Sequence, residues 1–263
     1  MLERLDKMLV DQGLAQSRTQ AQKLIEAGVV QAKLCGHWQP LRKPAQKISI
    51  DTPLRAGEID ELRFVSRAGL KLDFALQYIV EKKLLAPESL PPFLANASAL
   101  DIGQSTGGFT DCLLQRGVRK IVGIDVGRDQ LVDSLRQHPS VICLEGINAR
   151  EMPAQTLLAH SPTGFDLAVM DVSFISQSLI IPNLLPLLKN RGYLLSLVKP
   201  QFEVGAKNIA KGGIVRDENL YIEVREKISE CARLAGLDVI SYFSSALEGG
   251  DGNREFFMFC QKP

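Results

Sequence analysis

Long apolar runs are absent from these 263 residues. No stretch reaches the ~18 residues of a membrane-spanning helix, and the opening MLERLDKMLVDQ carries acids where a secretory leader has an apolar core. Cysteine is scarce. Cys35, Cys112, Cys143, Cys231 and Cys260 are scattered, odd in number and include no CxxC pair, which excludes a zinc knuckle or a dithiol redox centre. They read as buried free thiols of a reducing, cytoplasmic compartment. An excess of either charge is missing too: 31 Lys and Arg against 30 Asp and Glu leave a formal charge of +1. A polyanionic partner therefore has to meet a local basic face. Internal repeats and low-complexity tracts are also absent.

What is present divides into a small module and a large one. In residues 1–60, Leu5, Met8 and Leu9 recur at helical spacing, Gly13 stops that helix, and Ser17 is placed to cap a second one over RTQAQKLIEAG. Short apolar pairs broken by Gly, Pro and polar residues follow, as in small strands. Residues 61–97 read as a connection: a helix in RAGLKLDFALQYIVEKKLL, then a proline-rich insert, APESLPPFLANAS. From residue 98 to 263, the runs SALDI, KIVGID, SVICLE, FDLAVMDVS and GYLLSLVKP alternate with helical stretches, and LDVISYFSS and EFFMFCQ close the chain. That pattern predicts an α/β domain, a Rossmann-like seven-stranded methyltransferase-type sheet, with a plain dinucleotide-binding sheet as the alternative.

Ligands of open parallel sheets bind outside the C-terminal strand ends, where LDIGQSTGGFTD runs from the first strand into a helix. The GxGxxG fingerprint fails here because Ser105 stands at its second glycine, and Asp101 is unfavourable beside a pyrophosphate. S-adenosylmethionine meets neither objection, since it has no phosphate and carries a sulfonium and an ammonium. The candidate cofactor residues are Asp101, Gly103, Ser105, Thr106, Gly107, Gly108 and Phe109 in this loop. Asp125 follows for the ribose hydroxyls, with Val126 beside it, Asn148 for the adenine or simply as a turn residue, and Asp171.

Four charged residues fall where a transferable methyl would point: Lys71, Asp171, Lys199 and Glu255. Each alone reads equally well as a solvated strand end, or, for Glu255, as a charge that blunts an edge strand. Together they fit transfer to a ribose 2'-hydroxyl, which needs a base at the attacking oxygen. A lysine serves when a neighbouring cation and partial burial favour its neutral form, and Lys71 is the expected neighbour of Lys199. In the small module, Arg4, Lys7, Arg18 and Lys23 are the candidate RNA-binding cations, with Trp38 among further cations in HWQPLRKP.

RLDKMLVDQGLAQSRTQAQKLIEAGVV resembles the ribosomal-protein-S-four-type RNA-binding module. VSRAGLKLDFAL, DIGQSTGGFTDCLLQRG, MDVSFIS, LVKPQFEVG and KGGIVRD resemble the TlyA family, which joins that module to an FtsJ-like ribosomal RNA methyltransferase domain. The resemblance implies S-adenosylmethionine-dependent 2'-O-methylation of cytidine in ribosomal RNA, and it maps a Lys-Asp-Lys-Glu tetrad onto Lys71, Asp171, Lys199 and Glu255. The chain departs from the family at Ala68, Gln104, Arg128 and Asp129, and in the turn KLCGHW. A non-catalytic RNA- or ribosome-binding protein and a membrane-active hemolysin are the competing functions.

Overall fold

The computed structural model describes residues 1–15, 17–57, 59–85 and 94–263, so most of the proline-rich insert lies outside the described residues. Contacts divide the chain between Arg63 and Phe64 into two compact units.

In the first unit, β1 (Leu2–Arg4) leads into α1 (Leu5–Asp11) and α2 (Arg18–Glu26), followed by β2 (Val30–Leu34), β3 (His37–Pro40), β4 (Lys47–Ser49) and β5 (Leu54–Ala56). The expected cap forms: Ser17 Oγ accepts from the Gln20 N–H at 3.2 Å. Leu5, Met8 and Leu9 of α1 meet Ala21, Leu24 and Ile25 of α2 over Val30 and Ala32 of β2. Strands β2 and β3 are joined by Cys35 and Gly36, both left-handed at φ 50° and 84°. This is the geometry of a two-residue hairpin. Cys35 is exposed there, and Cys143 and Cys231 are only partly buried; the reading of buried thiols holds for Cys112 and Cys260 alone.

The second unit is built on one sheet of β6 (Ser98–Ile102), β7 (Lys120–Asp125), β8 (Val141–Glu145), β9 (Phe165–Met170), β10 (Leu188–Val198), β11 (Asp238–Ser244) and β12 (Phe256–Gln261). Their spatial order is β11-β12-β10-β9-β6-β7-β8. All pairings are parallel except those of β12, which runs antiparallel to both neighbours. Alternation along the strands feeds two cores. Ala99, Leu195, Leu197, Phe257 and Phe259 pack beneath α3 (Arg67–Glu81) and α4 (Gly108–Gln115). Leu100, Ile102, Leu194, Phe256 and Met258 pack on the opposite side, toward α7 (Glu218–Leu234). The second core also receives α6 (Ala154–His160), and the short α5 (Asp133–Arg136) lies beside β8.

Helix α3 belongs to this unit and is not a free connection. Asp73 is buried, and the Arg116 guanidinium at the end of α4 reaches its Oδ1 at 2.6 Å. Between β9 and β10 the expected helix is replaced by two 3₁₀ turns, Gln177–Leu179 and Ile181–Asn183. Pro182 withholds the N–H that an α-helix there would need.

Candidate active site

The loop after β6 is shaped by its glycines. Gly103 has φ +84°, and a Cβ there would lie 2.3 Å from the Asp171 carbonyl oxygen. Gly107, at φ +98°, starts α4, where a Cβ would strike Leu131 and Leu135. Only glycine permits both the backbone and the close approach. The Gly103 and Gln104 N–H groups both donate to the Ile124 carbonyl, at 2.9 and 3.1 Å, which pins the loop to β7. Ser105, also left-handed at φ 48°, donates its N–H to Asp125 Oδ2 at 2.8 Å.

Gln104 finds a compensation. Its side chain is buried over Gly123, and its Nε2 donates to Thr110 Oγ1 at 2.9 Å. Thr110 in turn donates to Asp101 Oδ2 at 2.6 Å. The long side chain is thus held by polar contacts, and the residue also lines the space in front of the loop.

That space is a cavity of about 180 Å³ lined by Ser66, Gly103, Ser105, Phe109, Asp171 and Lys199, among others. Asp101 is not in its lining. The carboxyl is fully buried beneath the loop, its Oδ1 has no hydrogen-bond partner, and burial pushes it up to about 7, with Asp171 and Asp125 adding to the rise against Thr110. Direct contact between Asp101 and a cationic ligand is therefore corrected to influence from behind the loop.

A stability consequence follows. Folding raises this carboxyl above its ordinary 3.8, so the native state holds a proton that the unfolded chain has released. Stability then falls as pH rises from about 4 to about 7. Asp101→Asn is expected to flatten that part of the thermal stability profile and to be more stable than the unaltered chain at neutral pH by a few kcal/mol. Parallel profiles for the two proteins would contradict the assignment.

Asp125, at the end of β7, accepts the Gly127 N–H on Oδ1 at 2.7 Å as well as the Ser105 N–H, and so organises two loops. Each oxygen keeps a lone pair for a hydroxyl. Val126 beside it is 74 % exposed, an open apolar face next to that carboxylate. Asn148 caps a 3₁₀ turn, its Oδ1 accepting from the Arg150 N–H at 3.0 Å. That is the turn role its position suggested.

The reversal of β12 assembles the charged residues. Because Val198 pairs with Phe256 and Ser196 with Met170, Lys199, Glu255 and Asp171 all fall at the same edge of the sheet, and α3 brings Lys71 to it. Two ion pairs result: Lys199 Nζ to Asp171 Oδ1 at 2.6 Å, and Lys71 Nζ to Glu255 Oε2 at 2.6 Å. Lys199 Nζ also reaches Ser173 Oγ at 3.0 Å. Each lysine thus sits on a carboxylate, and the charge of Lys199 also acts on Glu255. Burial raises Glu255 despite its hydrogen bond from Lys71.

Phe174 was not singled out from the sequence. It is 91 % exposed and left-handed at φ 63°, a conformation that costs a bulky residue about 1–2 kcal/mol. Its ring centroid stands 5.1 Å from that of Phe202. The two rings, with Ile175, Gly205 and Asp251, line a second cavity of about 490 Å³. An aromatic following a strand-end acid in MDVSF was the available signal.

In the first unit, three of the four candidate cations are already engaged. Arg4 and Arg18 both contact Asp6, at 2.8 and 3.0 Å, and Lys7 contacts Glu3 at 2.6 Å. Lys23 has no ion pair among the described residues. One face of Trp38 is covered by the Arg55 guanidinium, 4.4 Å from the ring centroid.

A seven-stranded sheet with only β12 reversed, a glycine-rich loop after its first strand and an acid at the end of the next defines a methyltransferase of the Rossmann-like class. The FtsJ-like methyltransferase family matches residues 64–262, and the S4 domain matches residues 3–31. The chain belongs to the FtsJ-like methyltransferase family and carries an S4 domain ahead of it. It is 37 % identical over 258 residues to the 16S/23S rRNA (cytidine-2'-O)-methyltransferase TlyA of Mycobacterium tuberculosis, covering 98 % of this chain and 89 % of that one. It is 34 % identical to Hemolysin A of Brachyspira hyodysenteriae, covering 96 % and 97 %. Among solved structures, a hemolysin-named protein of Streptococcus thermophilus superposes with a TM-score of 0.69 at 37 % identity, over 99 % of this chain and 88 % of that chain. No helix among the described residues is long and apolar enough to cross a membrane.

Proposed function

We propose that this protein transfers a methyl group from S-adenosylmethionine to the ribose 2'-hydroxyl of a cytidine in ribosomal RNA, and acts in the cytoplasm. The observation that carries the reading is the pair of lysine–carboxylate contacts at one sheet edge, beside a loop suited to a cation-bearing cofactor. The residues present fit that cofactor. Gly103 meets the cavity as bare backbone, held left-handed against the Asp171 carbonyl where no Cβ would fit, and Asp125 and Asp171 flank the loop with carboxylates. A pyrophosphate would meet those acids unfavourably. Gly103, Ser105, Phe109 and Asp171 would hold the amino-acid part, and Asp125 and Val126 the nucleoside.

When bound, S-adenosylmethionine supplies an electrophilic methyl on a sulfonium, a charge that disfavours a second cation beside it. Lys199 Nζ takes the proton of the 2'-hydroxyl as that oxygen attacks. Asp171, 2.6 Å away, orients the amine and stabilises the ammonium as it forms. Lys71 and Glu255 neutralise one another and keep the edge from accumulating charge of either sign. Phe174 and Phe202 offer the acceptor nucleotide a stacking surface.

Phe174→Ala is expected to raise the KM for RNA about tenfold, within the ~1–3 kcal/mol of one base stack, and to leave cofactor affinity unchanged. An unaltered KM would remove the ring from the acceptor site. The function itself is tested by transfer of labelled methyl to ribosomal subunits and to free RNA, followed by nucleoside mapping. Label on the base, or none on any ribosomal RNA, would overturn it.

A further inference from the structure

The S4 unit contains a buried carboxylate that the methyl-transfer chemistry does not use. Asp6 lies on the first turn of α1 and is wholly buried, yet it is surrounded by donors that come from the surface. Arg4 grips it with two groups, Nε to Oδ1 at 3.0 Å and Nη2 to Oδ2 at 2.8 Å. Arg18, from the start of α2, reaches Oδ2 with its Nη2 at 3.0 Å, and Gln22, one turn further, adds its Nε2 at 3.2 Å. The carboxyl is held well below the usual carboxylate range, chiefly by Arg4 and then by Arg18 and Gln22 against its burial.

The arrangement is asymmetric in a way that matters. The carboxylate is inaccessible, but the side chains of Arg4 and Arg18 remain 39 % and 57 % exposed. A guanidinium has five N–H donors. Arg4 spends two on Asp6 and Arg18 spends one, and the rest have no acceptor among the described residues. Two positive forks against one negative charge leave a net unit of positive charge, held in fixed geometry at the junction of α1 and α2. Surface arginines ordinarily lose side-chain entropy on capturing a phosphate. Here that ordering is already imposed.

We propose that Asp6 is a positioning residue that presents Arg4 and Arg18 as a preformed seat for one phosphate of the RNA backbone. The proposal rests on the reading of this unit as RNA-binding. A planar fork matches a phosphate through paired N–H groups, which a lysine cannot reproduce.

The prediction runs against simple electrostatics. Asp6→Asn adds a positive charge to the protein, and by charge alone it should tighten RNA binding. If Asp6 positions the seat, the same substitution weakens binding of the full chain to ribosomal RNA, by about fivefold or more at low salt. It also lowers the slope of log affinity against log salt by about one phosphate contact. A merely structural role would not move that slope in a variant whose circular dichroism and melting are intact. An Asn variant that is folded and binds as tightly as the unaltered chain, or more tightly, overturns the proposal.

Arg18→Lys provides the check should the Asn variant not fold, since Arg18 is half exposed and its charge is retained. Expected is most of the loss seen with Arg18→Ala; full affinity in the lysine variant would refute a geometric seat. Failure of the underlying reading looks different. If the double variant Arg4→Ala, Arg18→Ala binds ribosomal RNA with unchanged affinity and slope, this face does not contact RNA at all, and the seat falls with it.

Discussion

Replacing Lys199 by alanine is expected to slow methyl transfer by about 10²- to 10⁴-fold, the range over which a positioned general base contributes, while cofactor affinity changes little. The reason is positional. Lys199 lies one residue beyond β10, at the mouth of the cavity, with Asp171 at 2.6 Å and Ser173 at 3.0 Å. None of the glycine-loop contacts depends on it. Single-turnover transfer to ribosomal RNA, alongside calorimetric binding of S-adenosylmethionine, separates the two effects. A variant with near-normal turnover would eliminate Lys199 as the base, and one that no longer binds cofactor would recast it as a cofactor residue.

Lys71→Met is expected to act chiefly through stability. Lys71 and Glu255 are 7 % and 4 % exposed, so removing the cation leaves a carboxylate buried without its partner, at a cost of about 3–5 kcal/mol. Glu255 already stands above the ordinary carboxylate range through burial, and losing Lys71 moves it further up. Its folded form then holds a proton that the unfolded chain releases, so the variant's stability declines as pH rises through the acid range toward neutrality. Urea denaturation at about pH 5 and about pH 8 measures this. The double variant Lys71→Met, Glu255→Gln should recover much of the loss, because no buried charge remains. If the single variant is as stable as the parent at the higher pH, the pair contributes nothing to the fold.

Much of this protein could be read directly along the chain. Six of the seven strands of the sheet lie within the runs marked out in the sequence, β10 starting at Leu188, ahead of GYLLSLVKP, and the Ser17 cap formed as its position required. The loop of residues 101–111 was recognisable because glycines with an acid ahead of them at a strand end have few other uses. Its individual roles were less legible. Asp101 reads as a ligand-facing charge in one dimension, but β6 turns it beneath the loop, where Thr110, itself held by Gln104, donates to it. Asp111 accepts the Val65 N–H at 2.8 Å and so ties the segment ahead of α3 to α4, a contact spanning 46 positions that no local pattern encodes. The basic residues of the first unit behave likewise, since Asp6 collects Arg4 from the end of β1 and Arg18 from the start of α2.

Local patterning, which depends only on backbone period, capping chemistry and the steric freedom of glycine, was enough to determine the α/β class and the place of a glycine-rich loop after the first strand of the large sheet. Which charges meet which was decided by tertiary structure alone. The antiparallel insertion of β12 brings Glu255 level with Lys199 and Asp171, and the docking of α3 delivers Lys71 to Glu255. The energies that select those pairings are burial and short-range Coulomb attraction between residues up to 184 positions apart, and neither leaves a periodic trace in the order of amino acids.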